Sequence, residues 1–243
     1  MRAGRILVAL TTLMSVASVP ATPAASAQTL DEIIAKNLAA RGGVEKLRSL
    51  ETVKSAGVVE ARGVEIPIAT WAKRPNKMRH DRKMPDRTIS VGFDGNTVWM
   101  LDSTTGTAQK MSGPQADATR DEATFDPLFL SYKDRGYQIE LVGNETLDGV
   151  AVHHLRVTKK NGPVEDHYLH AETGLEFRTV TVMEQAGMKA ELRTDFADYR
   201  PVDGMQVPFS IRQFRNGTPV VQVKLTEFEF NVPIDDEMFA MPK

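Results

Sequence analysis

From Thr52 to about Val232 the sequence runs as short segments of alternating apolar and polar residues cut by turn pairs. "TVKSAGVVEA", "VEIPIATWAK", "PNKMRHDRK", "RTISVGFD" and "NTVWMLD" are separated at Arg62-Gly63, Pro85-Asp86 and Asp94-Gly95-Asn96. After "YQIELVG" the breaks fall at Asp148-Gly149, Asn161-Gly162, Thr173-Gly174, Ala186-Gly187, Asp203-Gly204 and Asn216-Gly217. Alternation puts one side of each strand against a core, and a glycine after Asp or Asn supplies the positive φ of a tight hairpin. Such a chain is an antiparallel meander, which twist curls into a barrel or half-barrel. In the hairpin "FADYRPVDGMQVPFSIR", Leu192, Thr194 and Phe196 lead in, and Val207, Phe209 and Ile211 lead out. One feature breaks the alternation. Val221, Val223 and Leu225 share one parity while Phe228 and Phe230 share the other, which predicts a β-bulge near Thr226–Glu227.

Two stretches have helical spacing instead. "TLDEIIAKNLAARGG" opens with a capping box, Thr29 and Glu32, carries the stripe Leu30, Ile33, Ile34 and Leu38, and stops at Gly42-Gly43. "VEKLRSL" adds a turn before the strands. Between Ser112 and Gly136, Pro114 and Pro127 stand at first helical positions, with Ser112 or Gly113 and Asp126 as N-caps. Leu128, Phe129 and Tyr132 share one face of that segment.

The first residues have another purpose. Arg2 and Arg5 precede an apolar run from Ile6 to Val19, and Ala25-Ser26-Ala27 has the small-x-small cleavage pattern. That is a secretory signal over residues 1–27; the apolar run of 14 residues is short beside the roughly 20 a membrane span needs. Residues 28–243 then form a single domain, soluble and periplasmic. The signal holds two of the 30 basic residues and none of the 32 acidic ones, so the mature charge is −4, which argues against nucleic acid as a partner. There is no cysteine, hence no disulfide and no acylated anchor.

No catalytic constellation emerges. With Asn161-Gly162 as a two-residue loop, His153 faces His170 and Arg156 faces His167, a pair without a third metal ligand and best read as surface sheet residues. Asp235-Asp236 suits turn capping better than acid–base work. Neither a Gly-x-Ser-x-Gly elbow nor a phosphate loop is present, so no metal, cofactor or enzymatic activity is expected. Arg74 is different. If its strand continues, it shares a face with Ile66, Ile68, Thr70, Ala72 and Met78, and needs carbonyl or carboxylate partners, such as acids of "DATRDEA". If the strand ends by Lys73, Arg74 is solvated beside Pro75.

"TWAKRPNKMRHDRKMPDRTISVGFDGNTVWMLD" (Thr70–Asp102) and the closing "IDDEMFAMP" (Ile234–Pro242) resemble the LolA-like family of periplasmic lipoprotein carriers. The resemblance implies a mainly β fold, an incomplete antiparallel barrel with an N-terminal helix, wrapped over a helical lid and enclosing an apolar cavity. It implies that Arg74, in the Lys-Arg-Pro motif, holds the lid through its backbone, and that Met78 matches the apolar position four residues on. Cavity-lining candidates on the strands are Ile66, Ile68, Met78, Ile89, Val91 and Trp99. On the lid they are Phe125, Leu128, Phe129 and Tyr132. Extra strand sequence between about Asp198 and Lys224 enlarges the sheet.

The expected function is a monomeric carrier for lipid or lipoprotein acyl chains, passing cargo from an inner-membrane donor to an outer-membrane acceptor. The alternative is an envelope sensor that binds a protein partner with the same fold. N-terminal sequencing of the periplasmic fraction is expected to begin at Gln28; intact Met1 in membranes would exclude the export reading.

Overall fold

The computed structural model describes residues 28–61, 63–160, 163–185 and 188–243. The expected signal, Arg62, and the turns Asn161-Gly162 and Ala186-Gly187 lie outside the described residues. Helices α1 (Leu30–Ala40) and α2 (Val44–Arg48) precede β1 (Thr52–Ala61), β2 (Val64–Lys73), β3 (Lys77–Lys83), β4 (Thr88–Phe93), β5 (Val98–Asp102) and β6 (Ala108–Lys110). Helices α3 (Pro114–Glu122) and α4 (Leu128–Ser131) follow. The chain continues with β7 (Gln138–Leu147), β8 (Val150–Thr158), β9 (Val164–His170), β10 (Glu176–Gln185), β11 (Met188–Val202), β12 (Met205–Arg215) and β13 (Thr218–Phe230). The three-residue β6 has no counterpart in the alternation pattern, being too short to express it.

All 13 strands form one antiparallel sheet in the order β6-β5-β4-β3-β2-β1-β13-β12-β11-β10-β9-β8-β7, open between β6 and β7. Each neighbour is also the next strand in sequence, except at β1·β13. There Ala56 pairs with Glu227 and Gly57 with Leu225, so Thr226 is the extra residue of a bulge. The bulge lies where the parity break puts it, and it returns Val223, Leu225, Phe228 and Phe230 to one face. Gly57 is required opposite it: a Cβ there would lie 2.2 Å from the Lys224 carbonyl oxygen.

Because β6 and β7 are opposite edges, residues 111–137 must cross the inner face of the sheet. Helix α3 lies over Met78, Phe93 and Val98, and α4 packs with α1 over Leu155 and Leu169. The capping box of α1 is formed, with Thr29 N–H donating to Glu32 Oε2 (2.8 Å) and Glu32 N–H to Thr29 Oγ1 (3.3 Å). Ile33, Ile34 and Leu38 are buried, and Asn37 Nδ2 donates to the Gly174 carbonyl (2.8 Å), tying α1 to the β9–β10 turn. Pro114 is the first residue of α3 after Gly113, as its spacing predicts. Asp126 is no cap: Pro127 holds the N-cap position of α4, and the Asp126 side chain is engaged elsewhere.

A second correction concerns β8 and β9. Their ladder ends at Thr158↔Val164 and sets Val152 opposite His170 and His153 opposite Leu169, one residue from the expected register. A two-residue loop would require pairing at Pro163, which has no N–H to give.

The C-terminal segment covers the outer face of β2–β5. Asp235 caps a 3-10 turn (Asp236–Met238), accepting from Glu237 N–H at 3.1 Å. Asp236 is 2.8 Å from Lys73 and 2.6 Å from Lys77, whose hydrogen bonds hold its carboxyl down at about 2. Trp99 Nε1 donates to the Phe239 carbonyl (2.8 Å). Trp99 pairs with Gly92, and a Cβ on Gly92 would fall 2.2 Å from the indole, which is pinned from behind. Gly92→Ala is therefore expected to cost about 1–3 kcal/mol by overpacking, read as a lower urea midpoint at unchanged slope.

Candidate functional site

Arg74 follows the last residue of β2, where its N–H still reaches the Glu51 carbonyl (2.9 Å). Its guanidinium turns toward the helices. Nε donates to the Leu50 carbonyl (2.8 Å), Nη2 to the Leu47 carbonyl in the last turn of α2 (3.3 Å), and Nη1 stands 2.8 Å from Asp126 Oδ1. The Asp126 contact is an ion pair whose alignment falls short of a hydrogen bond. The Phe125 ring lies 4.9 Å below the guanidinium, and Phe125 N–H donates to the Pro75 carbonyl (3.3 Å). One side chain thus joins β2, the end of α2 and the α3–α4 connection. Free carbonyls at a helix C-terminus attract a cation, and a planar fork can serve several at once. The acid comes from Asp126, not from "DATRDEA", because α3 lies farther along over β4 and β5.

Behind this junction is an apolar cleft of about 220 Å³. Leu47, Leu50, Phe125 and Pro127 form its helical side, and Val53, Met205, Val207, Ile211, Leu225 and Phe228 its sheet side. Cross-strand pairing extends it. Phe196↔Ile211, Ile211↔Val223, Val223↔Val59 and Val59↔Ile66 form one apolar row over five strands of the inner face. These five residues are half-buried, partly open to solvent. Ile68 pairs with Gly57 in the next row.

The other cavity-lining candidates are dispersed. Phe125 lines the cleft, whereas Met78, at 3% exposure, is core beneath α3 with Phe93, Val98, Ala116 and Ala123. Ile89 and Val91 share the inner face with Met78, but Ile89 stands between Arg82 and Asp102, and Val91 between His80 and Met100. His80 bridges Thr70 (2.9 Å) and Glu122 of α3 (3.1 Å). Trp99 is corrected outright: it pairs with Gly92, which pairs with Arg79, a row of outer-face residues covered by Phe239. Phe129 and Tyr132 pack toward α1. Leu128 overhangs a second cavity, of mixed polar and apolar lining.

That cavity, about 450 Å³, is lined in part by His167, which reads from sequence as a surface sheet residue. His153, His154 and His167 are all buried, because each imidazole has a polar side chain on a neighbouring strand: Asn144 for His153, Glu145 and Asp166 for His154, Glu176 for His167. His167 Nδ1 is 2.7 Å from Glu176 Oε1 and Nε2 is 3.4 Å from Glu165 Oε2, while Lys159 donates to Glu165 (2.6 Å). Burial alone would push this imidazole down, but hydrogen bonds and charge from Glu165 and Glu176 outweigh it and raise it to about 9. Both carboxyls are likewise held low by His167 against the upward push of burial. Burial and the nearby Lys36 push His153 down. Among the described residues no group of three His, Cys, Asp or Glu side chains could hold a metal.

The charged His167 implies a pH window. Its folded pKa lies above the ordinary 6.5, so its stabilising contribution is complete below about 6.5 and is lost as pH rises through about 9. Wild-type stability is expected to fall over that interval by on the order of 3 kcal/mol more than that of His167→Gln, measured by urea unfolding at each pH. Parallel profiles would mean that the imidazole is not held as a cation.

The chain matches no family model, and no curated protein resembles it in sequence. Its backbone resembles that of a DUF1329 family protein from Desulfovibrio piger, with TM-score 0.64 and 14% identity over 87% of this chain and 97% of that one. It also resembles a putative outer membrane lipoprotein-sorting protein domain from Vibrio parahaemolyticus (TM-score 0.61, 11% identity, 86% and 94% covered). A LolA superfamily protein from Nitrosomonas europaea gives TM-score 0.61 at 13% identity, covering 88% and 98%. With a 13-stranded antiparallel sheet left open and wrapped over helices on its inner face, the chain has the LolA-like half-barrel fold.

Proposed function

We propose that this chain is a periplasmic carrier that holds an acyl chain, of a lipid or a lipoprotein, along the inner face of the half-barrel. The observation behind this reading is the row Phe196–Ile211–Val223–Val59–Ile66, apolar on five adjacent strands and left half-open to solvent. Burying apolar surface gains about 0.8 kcal/mol per methylene, so ten methylenes supply about 8 kcal/mol, roughly micromolar binding before ordering costs. The cleft beside the row, which it meets at Ile211, has about 220 Å³ and is smaller than the roughly 300–1,000 Å³ usual for ligand sites. A long chain must therefore extend from the cleft onto the row, or part the helices from the sheet.

Arg74 is the lid-holding residue in this reading, since it ties α2 and the Phe125–Asp126 segment to β2. Residues 28–243 act as one exported domain and monomer, accepting cargo from an inner-membrane donor and yielding it to an outer-membrane acceptor. No catalytic step is involved. Among the described residues no helix is long and apolar enough to cross a membrane.

Arg74→Leu keeps side-chain length and removes the charge-assisted bonds, each worth about 1.5–3 kcal/mol. The variant is expected to keep its circular dichroism and to release a fluorescent twelve-carbon fatty acid to acceptor vesicles at least tenfold faster. Wild-type release from a folded variant would remove Arg74 from the mechanism. Failure of the wild-type protein to bind either this probe or an uncharged twelve-carbon amphiphile would end the carrier reading itself.

A further inference from the structure

The inner face changes character along the strands. Two residues from the apolar row, on the same face, lies a polar one: His167↔Thr179, Thr179↔Thr194 and Thr194↔Gln213. Beside it Thr181 pairs with Glu165 and with Leu192. Residues two apart on a strand are about 7 Å apart and point the same way. Thr194 therefore stands two residues from Phe196, and Gln213 two residues from Ile211. These residues wall the cavity of about 450 Å³ below Leu128, and Phe196 lines it too.

We propose that this cavity is a headgroup subsite, shaped for the uncharged, hydroxyl-bearing head of an amphiphile whose tail lies along the apolar row. The inference rests on the carrier reading and adds the chemical class of its ligand. Charge is the first argument. Lys159 and His167 are matched by Glu165 and Glu176, at 2.6 and 2.7 Å. Arg193 stacks on Phe214 (3.8 Å) and lies 3.4 Å from Asp195, which with Asp148 also serves Arg178. His167 and the neighbouring Lys159 lie within hydrogen-bonding reach of carboxylates, and Arg193, although its Nε makes no hydrogen bond, stands 3.4 Å from Asp195, so a phosphate or ammonium head would find no free counter-charge among the side chains that line the cavity and would enter at considerable cost.

Hydrogen-bonding capacity is the second argument. The side chains of Thr179, Thr181, Thr194 and Gln213 make no hydrogen bond among the described residues, although each could donate and accept. Neutral donor–acceptor groups in a row complement hydroxyls, which also donate and accept. The third argument is position. A cavity whose wall carries four neutral polar side chains and runs into the apolar row at Phe196 matches an amphiphile, since head and tail are served by adjacent rows of one rigid sheet.

The test is calorimetric titration of the whole protein with four twelve-carbon probes: dodecyl maltoside, monododecanoylglycerol, dodecanoate and dodecyltrimethylammonium. At least one hydroxylated probe is expected to bind tenfold or more tighter than both charged ones; whichever of the two binds tighter separates a sugar head from a glycerol head. Thr179→Val/Thr194→Val preserves shape and β-branching, and is expected to weaken that probe at least tenfold while dodecanoate stays within twofold. Gln213→Leu supplies the same reading should the double variant fail to fold. Equal binding of all four heads, or variants that lose nothing for the hydroxylated probes, would overturn the subsite and leave the tail site standing. If no probe binds, the carrier reading fails and the subsite with it.

Discussion

The pairing of β1 with β13 organises the molecule. Every other strand pair joins sequence neighbours through a short connection, so only this one closes a long loop, with the entropy that entails. Once it forms, β6 and β7 become opposite edges of the sheet, and the segment between them has to traverse the inner face. The lid is thus a consequence of strand order. The same pairing contains the Thr226 bulge, without which Val223 and Leu225 would face away from Phe228 and Phe230 and the apolar lining would be broken halfway along the strand. Gly57, with no space for a Cβ, is the matching concession on the partner strand.

On that frame the inner face is divided into territories. Helices α1 and α4 bury Leu155 and Leu169 at one side, and α3 buries Met78, Phe93 and Val98 at the other. Arg74 stands between them, joining α2 and the Phe125–Asp126 segment to the end of β2. The strip left without helical cover is the apolar row; the neighbouring polar one begins beneath α4, where Phe129 packs on His167, and runs out from under it to Gln213. A buried His167 between two carboxylates is tolerable because each charge has a partner; removing any one would strand the others. The outer face is closed differently, by a C-terminal segment anchored through Asp236 to Lys73 and Lys77 and through Phe239 to Trp99.

The edges also follow from this arrangement. β6 is only three residues long, and β7 carries a bulge between Leu141 and Gly143, both of which discourage pairing with another sheet. An open half-barrel can therefore present a long inner face without presenting two smooth edges.

Sequence determined what depends on neighbours along the chain. Alternation and turn residues specified the meander, Thr29 and Glu32 the start of α1, Pro114 the start of α3, and a change of parity the bulge at Thr226. These are local signals because backbone geometry is local. Tertiary structure decided what depends on register and on which strands become neighbours. Phe196, Ile211, Val223, Val59 and Ile66 are scattered through the sequence and become one row only after four ladders are aligned. Trp99, expected to line the cavity, faces out by pairing, since moving one residue along a strand reverses the face. His167 looked exposed, yet it is buried, because Glu176 reaches it from the neighbouring strand β10 and Glu165 from two residues along β9 itself. Alternation tells which residues share a face; only the folded ladder tells which faces meet, because that depends on cross-strand hydrogen bonds between residues far apart in the chain.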